Sequence, residues 1–525
     1  MSSFTRSRLY SSAVALPALL LIATQQPSSA QTHRTHDPVI HRMWEVGMEN
    51  SQTEDLAQIL MDSIGPRLAG STELVAAQDW LVEVYQSWGV TVRKEEYGTW
   101  QGWRQGHLHV DLISPRVQTL EAEFLAWSPG TGGPLEGDVV ALAELAATGS
   151  PDTWLTQLRG KWVLETVPEP SCRAPHEMEQ NARPETVERI EQQRMAGFAA
   201  LRDAIRAMGG TGSVREMVNQ SGALGIVTSN WSSGWGVNKI FSAWTREMPS
   251  FDLSCEDYGL LYRMAQRGQA PRIRVDADAE LLDDVPQYNV IAELTGTELP
   301  DEYVILSAHL DSWHAATGAT DNGTGTIMML EAMRILQETY PNPKRTILVG
   351  HWGPEEMGLT GSRAFTEDHA DILDGIQVVF NQDNGTWAVE RIEGQGILYS
   401  GQHIGRWIAA VPSEISDHIT LEFPGAQNNR GSDHVAFLCH GVPAFRLQSP
   451  YDEYRQYTWH TNRDTYDKIV FDDLKENATL AAMLAYGASE DPNRVPRDQA
   501  ILPIDPRTGQ PRAWLQCGMA RRSSR

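Results

Sequence analysis

The sequence predicts an α/β protein built on a mixed, mostly parallel sheet with helices on both faces, plus an inserted β-rich domain. Near-continuous apolar strands, such as residues 303–311, alternate with helical segments, such as residues 325–339. This alternation is typical of a sheet that is covered on both faces. Residues 126–279 differ, because short strands there are separated by turn-rich loops, and this difference indicates the insertion.

The composition limits the class of protein. The chain has 525 residues, more than a single compact core usually takes, so more than one domain is expected. Hydrophobic residues make up 41% and charged residues 21%, as in ordinary globular proteins. The formal net charge of -25 argues against nucleic acids and anionic membranes as partners, since both attract basic surfaces.

Residues 1–30 have the pattern of a signal peptide. Arg6 and Arg8 precede an apolar run at residues 13–23, and small residues at 28–30 form a cleavage site. The apolar run is too short to span a bilayer. We therefore expect an exported protein, periplasmic or extracellular, that has no membrane span.

The remaining elements are predicted in chain order. The N-terminal part of the α/β domain, residues 31–125, has two helices and then a strand, at residues 51–71, 73–89 and 90–97. In the insertion, short strands and one long helix are expected at residues 137–145, 160–167, 222–229 and 185–210. The main catalytic part, residues 280–490, adds strands at residues 345–352 and 376–383. Residues 491–525 are rich in arginine and lack a period, which predicts a loosely held extension.

Four cysteines follow the signal peptide, and an oxidising compartment would permit disulfides between them. Cys172 and Cys255 fall in the same predicted domain, so their pairing is favoured over the other full pairings. Four reduced or merely packed cysteines remain the alternative, because spacing alone does not decide connectivity.

Polar side chains gather where the predicted strands end. In parallel sheets, ligands bind beyond the carboxyl ends of the strands. A single histidine or acidic pair at a strand end is more often structural, but convergence at successive strand ends favours a metal site. The candidate residues are His309, Asp311, Glu355, Glu356, Asp383 and, from a later loop, His460.

Two zinc ions suit this set, because zinc takes imidazole and carboxylate ligands. Ions about 3.5–4 Å apart need a bridging group. Asp321 could provide it, since Gly323 and Gly325 let the backbone come close, although Asp321 could equally be a plain helix N-cap. Of the adjacent Glu355 and Glu356, one could bind metal while the other takes a proton from water. A solvated acidic turn is the alternative for this pair.

Several motifs, in order along the chain, resemble those of the M28 co-catalytic zinc exopeptidases. They are AHLDSW…ATDNGTG, GPEEMGLTGS, NQDNG, GSDHVAF and WHTNRDTYDKI, with GPRLAGS upstream. The resemblance covers roughly residues 51–490, and HLDSW is most similar to the carboxypeptidase Q branch of the family. It implies that residues 126–279 are a protease-associated (PA) domain, and that the chain is a peptidase acting on peptides or dipeptides.

The resemblance also implies metal-binding roles. His309 and Asp383 would bind one zinc ion, and Glu356 and His460 would bind the other. Asp321 would bridge the two ions.

Other positions receive roles from the same resemblance. Glu355 would be the general base, and Asp311 would orient the imidazole of His309. Asp433 would lie in the wall of the substrate site. The remaining nearby histidines are expected to be non-ligands, namely His314, His351 and His434.

The resemblance leaves the oxyanion donor and the specificity open. Some relatives have tyrosine before the last histidine ligand, where this chain has Trp459, so Tyr451, Tyr454 and Tyr457 are candidate donors. Amino-, carboxy- and dipeptidases share the metal residues; aminopeptidase or dipeptidase action is favoured, with carboxypeptidase action close behind. The deciding loops are expected to include residues from a neighbouring subunit of a homodimer. Receptor-like proteins and single-zinc glutaminyl cyclases on the same fold are the rivals.

Overall fold

The structure is a computed structural model that describes residues 36–148, 151–427 and 431–524. The predicted signal peptide lies outside these ranges. Within them, no helix has the length and apolar composition that crossing a membrane requires.

The described strands form one mixed sheet of 14 strands. They are β1 (Thr91–Ser114), β2 (Gln118–Leu120), β3 (Ala122–Phe124), β4 (Leu135–Ala141), β5 (Lys161–Leu164), β6 (Gly225–Thr228), β7 (Ser250–Leu253), β8 (Arg272–Leu294), β9 (Leu299–His309), β10 (Arg345–Trp352), β11 (Ile376–Asn381), β12 (Arg391–Glu393), β13 (Thr420–Glu422) and β14 (Ala444–Gln448).

The sheet contains two runs of parallel neighbouring strands. The order is β13, β12, β14, β11, β9, β10, β8, β4, β5, β6, β7 and β3, and β1 pairs with β2 and β8. Strands β14, β11, β9 and β10 are parallel neighbours, as are β4, β5, β6 and β7. The predicted α/β class with a mixed, mostly parallel sheet is therefore confirmed.

The α-helices of the described residues connect and cover these strands. They are α1 (Pro38–Trp44), α2 (Thr53–Gln58), α3 (Thr72–Ser87), α4 (Leu142–Thr148), α5 (Pro151–Leu158), α6 (Pro175–Asn181), α7 (Pro184–Ala207), α8 (Thr211–Gln220), α9 (Cys255–Gln266), α10 (Thr324–Thr339), α11 (Thr360–Asp368), α12 (Gly401–Ile408), α13 (Ser413–Ser416), α14 (His434–Leu438) and α15 (Phe471–Glu490).

Two apolar cores lie on opposite faces of β9. Val304 and Leu306 belong to a core that includes α10 and α15, whereas Ile305 belongs to a core that includes α11 and α14. Successive side chains of a strand point to opposite faces of the sheet. Helices thus cover both faces of the catalytic strands, which is why these strands are apolar along their whole length.

The inserted residues 126–279 contain β4–β7 and join the sheet through the pairing of β4 with β8. The insertion has the predicted short strands, but it is not mainly β-structure. Helices α4–α9 hold more of its residues than the strands do. The physical reason is that parallel neighbours need crossover connections, which are usually helical. The domain boundaries and the likeness to a PA domain stay predictions.

Strand β1 continues far beyond the strand predicted at residues 90–97. Glycine often marks a turn in a sequence, and the predicted strand ends just before Gly98. In the structure, Gly98 and Gly102 lie at register shifts between β1 and β8. A side chain at Gly102 would meet the carbonyl oxygen of Asp283, so glycine permits this close approach of the two backbones.

Two disulfides join the four cysteines. Cys172 bonds to Cys255, the pairing that the sequence favoured, and Cys439 bonds to Cys517. The second bond fixes the C-terminal extension to the chain after α14, and Arg522 forms ion pairs with the acidic end of α11. The prediction of a loosely held extension is therefore wrong, because its cysteine and arginine find partners on the catalytic part.

Candidate metal centre

Three neighbouring parallel strands bring the candidate residues to one edge of the sheet. β9 ends at His309, Glu355 and Glu356 follow the end of β10, and Asp383 follows β11. His309 is in register with Trp352, the last residue of β10. This edge is the one at which parallel sheets bind ligands.

One cluster forms around His309, whose side chain is buried. Its Nε2 lies 3.1 Å from Asp383 Oδ1 and 3.5 Å from Asp321 Oδ1. One ligand atom from each of the three residues lies within 4.8 Å of the others, close enough for all three to hold a single metal ion.

A second cluster forms around His460 and shares Asp321 with the first. His460 Nε2 lies 2.8 Å from Glu356 Oε2 and 3.3 Å from Asp321 Oδ2. The two carboxylate oxygens of Asp321 therefore face different imidazoles. This grouping of residues is the same as the grouping that the sequence predicted.

The donor set fits zinc. Two imidazole nitrogens and three carboxylates meet at a buried site, and these are ligands that zinc prefers. Asp321 Oδ2 and Glu356 Oε1 are buried without a hydrogen-bonding partner among the described residues. Burial and the neighbouring carboxylates raise the pKa of Glu356 well above its ordinary value. Bound cations would coordinate these unpaired oxygens and would reduce the electrostatic repulsion between the carboxylates.

Asp321 is held by its backbone and does not cap a helix. The N-cap of α10 is Gly323, and Asp321 has non-helical backbone angles. The buried Asp464 accepts hydrogen bonds from the backbone N–H groups of Thr320, at 2.8 Å, and of Asp321, at 3.0 Å. The alternative of a plain N-cap is therefore wrong. Sequence reasoning did not identify Asp464, which fixes the orientation of Asp321.

Asp311 contacts both halves of the centre. Its carboxylate lies 3.3 Å from Nδ1 of His309, the nitrogen that faces away from Asp383. It also accepts hydrogen bonds from the backbone N–H groups of Glu355 and Glu356, at 2.9 and 3.2 Å. One buried carboxylate thus orients the imidazole at the end of β9 and positions the glutamate pair after β10.

Glu355 lies beside the two clusters and belongs to neither. Burial raises the pKa of its carboxyl well above the ordinary value, and Asp383, Asp433 and Glu356 add to this effect. A carboxylate of raised pKa next to a metal centre is suited to accept and return a proton.

Arg67, in the GPRLAGS motif, positions the loop between His309 and Asp321. Its guanidinium donates hydrogen bonds to the carbonyl oxygens of Leu310, at 2.7 Å, Thr317, at 2.7 Å, and Gly318, at 2.9 Å. Its side chain is fully buried, and burial lowers its pKa to about 10, so the side chain carries its charge at neutral pH. Sequence reasoning quoted this motif but assigned Arg67 no role.

The other histidines lie outside the two clusters. His314 Nε2 is 2.9 Å from the carbonyl oxygen of Phe124, and His351 Nε2 is 2.7 Å from the hydroxyl of Tyr85. His434 belongs to neither group of ligands.

Asp433 and Tyr454 are buried close to the centre. Burial raises the pKa of Asp433 to about 7, and Asp383 and Asp311 act in the same direction. Burial alone would raise the pKa of Asp321, but His309, His460 and Tyr454 lower it, so the Tyr454 hydroxyl faces the metal residues. Tyr451 instead accepts a hydrogen bond from Arg446.

The family model described as Peptidase family M28 matches residues 289–485. The chain carries a peptidase M28 domain. All the residues of both clusters lie inside the matched range. The protein is thus a zinc metallopeptidase, as the motifs of its sequence predicted.

Curated proteins that are similar to this chain include carboxypeptidase Q. The protein of that name from Mus musculus is 25% identical over 457 residues, which cover 86% of this chain and 88% of the relative. Carboxypeptidase Q from Rattus norvegicus is 26% identical over 460 residues, with the same coverage, 86% and 88%.

Solved structures share the fold of this chain. A peptidase M28 precursor from Shewanella amazonensis SB2B has a TM-score of 0.64 and 24% identity, and the match covers 87% of this chain and 97% of that one. The zinc aminopeptidase BSAP from Bacillus subtilis has a TM-score of 0.52 and 18% identity, with coverage of 85% and 96%.

Proposed function

We propose that the protein is an exported di-zinc exopeptidase that hydrolyses terminal peptide bonds of peptides or dipeptides in the periplasm or outside the cell. The observation that carries the proposal is the pair of buried ligand clusters that share Asp321. The two disulfides support export, because disulfides persist in oxidising compartments.

The candidate metal ligands form three groups. His309 and Asp383 would hold one zinc ion, His460 and Glu356 would hold the other, and Asp321 would hold both. Bound zinc would lower the pKa of water and polarise the carbonyl of the scissile bond.

Glu355 would move the proton. Its carboxylate oxygen would accept a proton from the attacking water and then donate it to the nitrogen of the leaving amine. The raised pKa of Glu355 suits the first step, because it makes the carboxylate a stronger base towards the attacking water. Asp311 would keep this glutamate in place through the backbone hydrogen bond at Glu355 N.

The cleft beside Asp321 and Glu356 is lined by Trp313, Gly318 and Thr461. Phe241 and Trp313 stand 5.4 and 5.8 Å from the ring of His460. Relatives are named both carboxypeptidases and aminopeptidases, so either terminus is a candidate.

The test is hydrolysis of a peptide panel by the purified, zinc-loaded protein. The panel contains free dipeptides, N-blocked peptides and C-blocked peptides, with Glu355→Gln as the matched control. The proposal expects cleavage of terminal bonds by the wild type only. A zinc-loaded wild type that cleaves no member of the panel contradicts it, and one zinc ion per chain would instead favour a cyclase-like centre.

A further inference from the structure

Two cations lie over one tryptophan beside the candidate metal centre. Lys239 Nζ is 4.7 Å and the Arg455 guanidinium carbon 3.9 Å from the centre of the Trp459 ring. Trp459 itself stacks on His460, with ring centres 3.8 Å apart and planes 21° apart. Only one aromatic ring therefore separates the two cations from a candidate metal ligand.

Neither cation has an acidic partner in the part of the chain that the structure describes. Among the residues that the structure describes, no ion pair includes Lys239 or Arg455. Burial and the neighbouring Arg455 both lower the pKa of Lys239, because two like charges face each other without a carboxylate between them. An anion that arrives from outside would pair with both charges.

The inserted domain holds Lys239 in this position. The backbone N–H of Asn238 donates to Asn462 Oδ1 at 3.0 Å, and that of Ile240 donates to the carbonyl oxygen of His460 at 2.8 Å. The residues on both sides of Lys239 are thus bonded to the loop that carries His460. The backbone therefore cannot carry the ammonium group away from the site.

We propose that Lys239 and Arg455 bind the free C-terminal carboxylate of the substrate, and so select dipeptides and peptides cut at the carboxyl end. The proposal rests on the proposed function, which places the scissile bond at the metal residues. An unblocked peptide has an ammonium group at one end and a carboxylate at the other. Two cations repel the first and attract the second, and one aromatic ring, that of Trp459, separates them from His460.

The first experiment compares kcat and KM for Ala-Ala and for its C-terminal amide. The wild type is expected to prefer the free carboxylate by at least about tenfold in kcat/KM. Lys239→Met is expected to raise KM for Ala-Ala about tenfold, to leave kcat within about threefold, and to leave the amide unaffected. Arg455→Gln is expected to act in the same direction. Lys475→Met is the matched control, since Lys475 pairs with Asp472 on the exposed face of α15.

A second comparison separates the two sources of a carboxylate. The amide of Ala-Glu has a side-chain carboxylate but no C-terminal one. The proposal expects this peptide to behave as the amide of Ala-Ala does. A preference for the amide of Ala-Glu that Lys239→Met abolishes would contradict the C-terminal assignment.

Binding measurements keep this inference separate from the proposed function. Zinc-loaded Glu355→Gln protein is titrated calorimetrically with Ala-Ala and with its amide, and Ala-Ala is expected to bind at least about tenfold more tightly. Equal affinities overturn the inference even if both peptides are cleaved. An equal loss of kcat for both peptides in Lys239→Met also overturns it, because that result would indicate a role in transition-state stabilisation.

Discussion

Arg67→Met tests whether a buried cation organises the loop between the first two candidate ligands. Methionine has a similar length but donates no hydrogen bond. The substitution leaves the carbonyl oxygens of Leu310, Thr317 and Gly318 without the donor that now reaches each of them at 2.7–2.9 Å. It also removes the positive charge that faces Asp464.

The expected magnitude follows from these contacts. A hydrogen bond to a charged group contributes about 1.5–3 kcal/mol, but neighbouring bonds are not additive. Each buried carbonyl oxygen that loses its donor costs about 1–3 kcal/mol. Because Arg67 is fully buried and reaches three such oxygens, we expect a loss of about 3–5 kcal/mol in the free energy of unfolding.

Urea unfolding of the zinc-loaded protein measures this loss. Arg42→Met is the matched control, since Arg42 is 55% exposed and pairs with an exposed glutamate, and its expected loss is below about 1 kcal/mol. A loss below about 1 kcal/mol for Arg67→Met would show that the three carbonyl contacts do not stabilise the loop.

Three further predictions address catalysis, pH and the C-terminal disulfide. Glu355→Gln should lower kcat by about 10²–10⁴-fold with unchanged zinc content, measured by peptide hydrolysis and metal analysis; an unchanged rate would exclude Glu355 as the base. Burial lowers the pKa of His351 to about 3, so its neutral form stabilises the fold fully above pH 6.5, and this stability is lost as the pH falls from 6.5 towards 3. Between pH 7 and pH 5, His351→Gln should therefore lose about 2 kcal/mol less than the wild type in urea unfolding; equal slopes would contradict this. Replacing both Cys439 and Cys517 with serine should lower the free energy of unfolding by about 2–4 kcal/mol, whereas an unchanged value would show that the extension contributes no stability.

The apolar pattern of the sequence predicted strands β9, β10 and β11, and the resemblance of motifs predicted the grouping of the candidate metal residues. His309 and Asp383 are recognisable because each follows a continuous apolar strand, and parallel strands bring their carboxyl ends together. Asp321 and His460 lie in loops, where periodicity has no signal, and their grouping depended on the resemblance of motifs to known peptidases.

The residues that support the centre were harder to predict. Arg67 is separated from its carbonyl partners by more than 240 residues of chain, and Asp464 from Asp321 by 143. Such contacts depend on the tertiary fold, and an isolated arginine or aspartate in a loop gives no local sign of them.

The inserted domain and the C-terminal extension show a second limit. The turn-rich loops of the inserted domain led to a prediction of mainly β-structure. In the structure, α7 and the neighbouring helices hold most of the residues that connect the short strands. The link from Cys439 to Cys517 could not be read from spacing, since it depends on how the extension returns to the catalytic part.

The number of zinc ions per chain tests the account most directly. Purified wild-type protein is loaded with excess zinc, dialysed to remove unbound metal and analysed by inductively coupled plasma mass spectrometry, and it should hold two zinc ions per chain. Asp321→Ala should lose zinc from both positions, since its two oxygens face His309 and His460. One zinc ion in the wild type, or two zinc ions retained by Asp321→Ala, would contradict a centre bridged by this carboxylate.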